Sequence, residues 1–266
     1  MWRRFEENRY GEDMSDAEST HELRVQLARL RAAVIGLVLI WLATLAVMAF
    51  RSSSIPPVLS VERLEIVEPD GTLALVIANS QRPIAATVDG QVVMKGQEEE
   101  RRGFPSIIFF DGKGDEVGGM LFGVRETADG FRATRHFSFD ANGQDQTVVL
   151  AHSQDPEGST SGLTISNRPE HSQLDTFAKL GLEPGATREQ LTAAIAAIPE
   201  AERRTRLREL FGTTRAFFGS NRSGEARLEL RDGRGRPRIV IEAPEEGTPS
   251  IRVLDENGAS VLRLPE

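Results

Sequence analysis

Two patterns of hydrophobic and polar positions divide this chain. From Ala32 to Phe50 the residues are apolar without a charge or a proline, interrupted only by Gly36, Thr44 and the ring nitrogen of Trp41. At a helical rise of 1.5 Å per residue the run spans roughly 28 Å, the thickness of a bilayer's hydrocarbon core. An apolar series at Leu23, Leu27, Leu30, Val34, Leu37, Trp41, Thr44 and Met48 keeps the alternating four–three spacing of a heptad seam through that helix. Inside the apolar run such a seam is almost free. Leu23, Leu27 and Leu30 stand among Glu22, Arg24, Gln26, Arg29 and Arg31 and carry the information. They read either as a homo-oligomer seam or as a membrane-proximal amphipathic turn.

Beyond Pro56 and Pro57 the period changes from helical to two. Arg227–Arg231 and Ile251–Leu254 alternate as half-buried strands do. The alternating stretches are separated by an acidic residue with glycine three places on: Glu68–Gly71, Asp111–Gly114, Asp140–Gly143, Asp232–Gly235 and Asp255–Gly258. In a hairpin loop the carboxylate accepts turn amides, and glycine takes the left-handed conformation that closes a type I turn with a bulge. Asp89-Gly90 and Asp129-Gly130 read as two further tight turns. The last two aspartates stand 23 residues apart and the middle pair 29 apart, an internal repeat too irregular for a strict propeller or solenoid. Between the hairpin groups, Thr187-Arg-Glu-Gln190 forms a capping box opening a helix to Ile198. Pro199 begins a second helix that Gly212 ends, with Glu200–Arg204 and Glu202–Arg206 spaced for surface pairs.

The predicted fold is therefore mainly β: a single transmembrane helix, then an antiparallel hairpin-repeat region forming a sandwich or an open barrel-like sheet. The expected divisions are a disordered cytoplasmic tail at 1–19, the helix at 20–51 and a linker at 52–57. A hairpin region at 58–170, a helical insert at 171–219 and C-terminal hairpins at 220–266 follow.

Charge adds direction. Arg24, Arg29 and Arg31 precede the apolar run, with Arg3, Arg4 and Arg9 further out, and only Arg51 follows it closely. The positive-inside rule then puts the N-terminus in the cytoplasm and residues 52–266 outside it. The run is too long for the core of a signal peptide, so an uncleaved signal anchor is favoured over cleavage after Ala49. The first 51 residues hold seven basic and seven acidic side chains, so the net charge of −8 falls on the remainder. An acidic exterior disfavours nucleic acid as a partner. The absence of cysteine excludes thiol chemistry and Cys-based metal sites.

Candidate chemistry is sparse. No phosphate-binding loop accompanies the Asp-x-x-Gly turns. The run from Asp140 to Asp145 lacks the glycine and glutamate of a calcium loop. Gly158-Ser-Thr-Ser-Gly162 has threonine where a nucleophile elbow needs serine, and it reads as a loop. The weak catalytic candidates are Asp111, Asp115, His136 and Asp140, because carboxylate pairs beside turns can serve glycoside hydrolysis; the competing reading makes the carboxylates turn formers and puts His136 on the wet face of a strand. No cofactor is expected. Both tryptophans and the single tyrosine precede residue 52, which disfavours a sugar-binding surface.

The stretches Gly103–Gly123 and Phe137–Gln146, with the closing run Ala226–Leu264, resemble a family of bacterial membrane-anchored β-hairpin-repeat proteins without known activity. The resemblance implies a short coiled-coil-like helix merging into a membrane anchor, matching Leu23 to Phe50, and it brings no catalytic residues. Three classes of function follow as expectations. The first is a non-enzymatic scaffold binding a protein partner outside the cytoplasm, or itself, and anchored in the lipid bilayer. The second is a ligand sensor signalling through the helix, and the third a hydrolase using carboxylates near hairpin turns. A polar cleft gathering the four candidates would favour the enzyme; an exposed sheet edge or a flat apolar patch would favour partner binding.

Overall fold

A computed structural model describes the backbone of residues 3–52 and 58–265, and the side chains of residues 23–48 and 58–265. The chain divides into two units, Met1–Ser60 and Val61–Glu266.

The first unit is the helix α1, Arg3–Ser52. It begins upstream of Thr20, so residues 3–19, expected as an irregular tail, are helical; that stretch contains no proline to stop it. The linker expected at 52–57 lies outside the described residues except for Ser52, which ends the helix. Leu23–Met48 is long and apolar enough to cross a membrane, with a mean hydropathy of 2.3. Thr44, the one hydroxyl in the apolar run, bonds back to the carbonyls of Ile40 and Trp41 at 2.8 Å, so its polarity is satisfied within the helix.

The second unit is built on one antiparallel sheet. Its strands are β1 (Arg63–Val67), β2 (Leu73–Ala78), β5 (Ser106–Phe110), β6 (Glu116–Thr127), β7 (Gly130–Asp140), β8 (Gln146–Asp155) and β9 (Gly158–Asn167). They continue through β10 (Thr213–Ser220), β11 (Ala226–Arg231), β12 (Pro237–Ala243), β13 (Ser250–Leu254) and β14 (Ser260–Leu264). The twelve strands lie side by side in chain order, and the sheet stays open between its edges β1 and β14. The mainly β hairpin architecture expected from the alternation is thus present, laid out as one continuous sheet.

Two excursions leave this sheet. The first carries a two-stranded ribbon, β3 (Thr87–Val88) with β4 (Gln91–Val92), and a short helix α2 (Gln97–Arg101). The second is the helical insert, with α3 (Gln173–Lys179), α4 (Arg188–Ala196) and α5 (Glu200–Phe211). It ends earlier than expected, because Thr213 already belongs to β10. Val88 and Val93 of the first excursion pack with Phe177 and Ala186 of the second in a small shared core. A second core lies on one face of the sheet, where Val76, Ala78, Ile108 and Phe110 meet Ile84 from the first excursion. Arg168 ties the insert to the sheet by donating to the carbonyls of Gln146 at 2.8 Å and Phe211 at 2.9 Å.

The local chemistry mostly follows the sequence. Thr187 and Gln190 form the capping box at the start of α4. Pro199 stands at the cap of α5, one place before the helix proper, and Gly212 ends it. The ion pairs on α5 are Arg203–Glu200 and Arg206–Glu209 instead of the expected four-residue pairs. Three-residue spacing also places side chains on one helix face.

Candidate functional site

Three carboxylates and one histidine were singled out by sequence as candidate catalysts, the carboxylates also as turn formers, and they separate into two groups. Asp111 does what the repeat demands: its Oδ1 accepts the amides of Lys113 at 2.8 Å and Asp115 at 3.0 Å, and Gly114 follows with φ 81°. Asp232 and Asp255 hold their loops in the same way. Asn221 does so too, in a loop the acidic pattern misses because an amide oxygen replaces the carboxylate. Asp115 is 2% exposed and accepts the Gly90 amide at 3.2 Å, fastening the β3–β4 turn to the β5–β6 turn.

Asp140 breaks the rule. Its loop closes one residue later, with Gln144 N–H donating to the Ala141 carbonyl and Ala141 N–H to the Asp145 carbonyl. A bulge at Phe139/Asp140 accompanies the shift. Freed from the turn, the Asp140 carboxyl is buried and its Oδ1 has no partner. Burial pushes its pKa up to about 7, helped by the charges of Glu116 and Asp145 and opposed by Arg101 and a hydrogen bond from Ser138. Glu116 is also held above the usual carboxylate range by burial, although Arg101 donates to both its oxygens at 2.8 and 2.9 Å and pulls the other way. His136, on the same face of β7 as Ser138, is lowered by burial and by Arg101, with Asp145 opposing. Arg101 reaches this cluster from α2 and also donates to the Ile84 carbonyl at 2.9 Å.

His136 and Asp140 thus share one charged cluster with two residues the sequence reading did not select, Arg101 and Glu116, while Asp111 stays in its turn. Nothing in the spacing of Arg101 and Glu116 announces the meeting, since the first excursion brings them together. Chemically the cluster holds a proton on Asp140 near neutrality. Glu116 is fixed by a forked guanidinium, which leaves it poorly placed to act as a nucleophile. Among the described residues, no three of His, Asp and Glu are grouped to hold a metal ion.

Gly158–Gly162 lies within β9 and not in a loop, which corrects the expectation. There His152 Nδ1 and Ser161 Oγ stand 2.7 Å apart on neighbouring strands, a contact the sequence reading missed. The distance suits a base and a nucleophile. However, β9 is paired on both sides, so its amides serve the ladder and leave no donor for an oxyanion.

The most extended feature lies on the face opposite Val76, Ala78, Ile108 and Phe110. One rung of paired residues begins Ile66, Leu75, Phe109, Gly118 and Phe139. It continues through Val148, Ile165, Ala216 and Leu230, then ends with Ile239, Val253 and Leu262. A second rung, from Leu64 on β1 to Leu264 on β14, is apolar at every strand as well. Its central members Leu150 and Phe218 are 57% and 63% exposed. Past it, at Arg135, His152 and Ser161, the face turns polar. The opposite face of the C-terminal strands is different. There Glu229 sits between Arg227 and Arg231, and Glu242 pairs with Arg227 and Arg252.

The seam residues Leu23, Leu27, Leu30, Val34 and Leu37 are all exposed on α1. Compared with known proteins, the chain matches no family model and no curated sequence.

Proposed function

We propose that this chain is a membrane-anchored scaffold that binds a protein through the apolar strip of its sheet. Leu23–Met48 is the anchor, the arginines before it keep the N-terminus in the cytoplasm, and residues 52–266 stand outside. One observation carries the reading: an uncharged strip two rungs high runs across all twelve strands on an exposed face. Apolar patches of this extent mark interaction sites on soluble domains. The charged cluster around Glu116 and Asp140 serves as a buried joint between the first excursion and the sheet in this account.

A photo-crosslinking residue at Leu150 in the full-length protein, in its native membrane, tests the proposal. A stoichiometric protein adduct is the expected result, whether the adduct is another chain or the same one. Exclusive labelling of lipid, or no adduct from any strip position, would overturn it.

A second reading, hydrolysis, draws on the protonated Asp140 alone. It requires Asp140→Asn to abolish a turnover that Asp111→Asn leaves intact.

A further inference from the structure

We propose that the strip's occupant is a second copy of this chain, packed sheet against sheet. The inference rests on reading the strip as a binding face and names its partner. Eleven inter-strand steps across the twelve strands at ~4.8 Å make the strip about 53 Å long, and two rungs of side chains make it about 13 Å high. Two such strips face to face remove roughly 1,400 Å² from water, within the range of stable protein interfaces.

A two-fold axis lying between the two sheets and running along the strip, across the strands, lays the first rung of one copy on the second rung of the other. Both rungs are apolar throughout, so the match needs no special register and leaves no buried polar side chain. The same uniformity gives a foreign partner no charge pattern by which to be selected.

Arg227, Arg231, Arg252 and Glu242, which enclose the buried Glu229, lie on the far face of the C-terminal strands and stay outside the interface. Two antiparallel sheets with apolar inner faces and charged outer faces form an ordinary sandwich, here assembled from two chains. Arg135 and His152 fall at the polar rim of the interface. Anchoring both copies in one membrane raises their effective concentration.

The absence of cysteine makes the test clean. Single substitutions Leu150→Cys, Ile165→Cys and Phe218→Cys in the full-length protein, in native membranes, are treated with a short bis-maleimide. Homodimeric adducts are expected from these central strip positions. They are not expected from Arg132→Cys, which lies on the other face of β7. Leu150→Asp with Phe218→Asp should weaken dimerisation roughly tenfold or more. Because both side chains are exposed in the single chain, the unfolding temperature of the monomer should hardly move, and Leu150→Met should preserve the dimer.

A different protein linked to the strip, with no self-adducts, overturns the second copy and leaves the binding face standing. Adducts from neither source overturn both. Dimers that form through α1 and persist in the double aspartate variant, with no strip position linked, also overturn the proposal.

Discussion

At the scale of single residues the charged cluster decides what pH does to this fold. Asp140 keeps its proton in the folded state until about pH 7, whereas the unfolded chain releases it near 3.8. Between those values the folded state binds more protons, so stability falls as pH rises and levels off above about 7. Asp140→Asn should therefore stabilise the fold at pH 8, by on the order of 4 kcal/mol, and change little at pH 4. Thermal melts across that range would show it; a pH-independent difference would mean Asp140 is not the titrating group. Arg101→Ala has the opposite character. Arg101 and Glu116 are 12% and 7% exposed, and removing the guanidinium leaves a buried carboxylate unpaired. A loss of about 3–5 kcal/mol is expected in denaturant unfolding. Of this chemistry the sequence displays the candidates and not the company they keep. Asp111 and Asp140 carry the same Asp-x-x-Gly signature, yet one is held by two turn amides and the other is released by a one-residue shift in loop closure.

Elements were legible wherever local chemistry sufficed. Asx turns, left-handed glycines and capping boxes act over four or five residues, so the hairpins, α4 and the end of α5 follow from the sequence. Gly212 shows how strict one such position is. It has φ 77°, and a side chain there would put its Cβ 2.0 Å from the Asn167 carbonyl oxygen. Gly212→Ala should cost more than ~2 kcal/mol in denaturant unfolding, because backbone strain and overlap add. Thr187→Ala removes one half of a capping box and should cost only about 1 kcal/mol. The elements that escaped are those made by partners distant in sequence. The ribbon of β3 and β4 is held by Ala186 and Phe177 from the second excursion. The second capping box, Ser172 with Asp175, escaped because a shorter acid stands where glutamate or glutamine is usual.

For the whole molecule, alternation gave a half-buried sheet but not its width. A period of two says that one face differs from the other. It does not say that rungs on twelve strands fall into register, because register is set by loop lengths and bulges between the strands. The chain order of those strands governs assembly in time. Synthesis delivers the N-terminal strands first, so each new hairpin can close on the edge of a sheet already standing, and most pairings span short loops. Two steps differ: β5 must find β2 across residues 79–105, and β10 must find β9 across the longer stretch from 168 to 212. Until the insert folds and brings β10 back, β9 waits as a bare edge. A β10 from a neighbouring chain fits that edge equally well. Exchange of everything after Asn167 between two nascent chains is therefore the characteristic error of this fold, and the speed at which the insert closes is its safeguard.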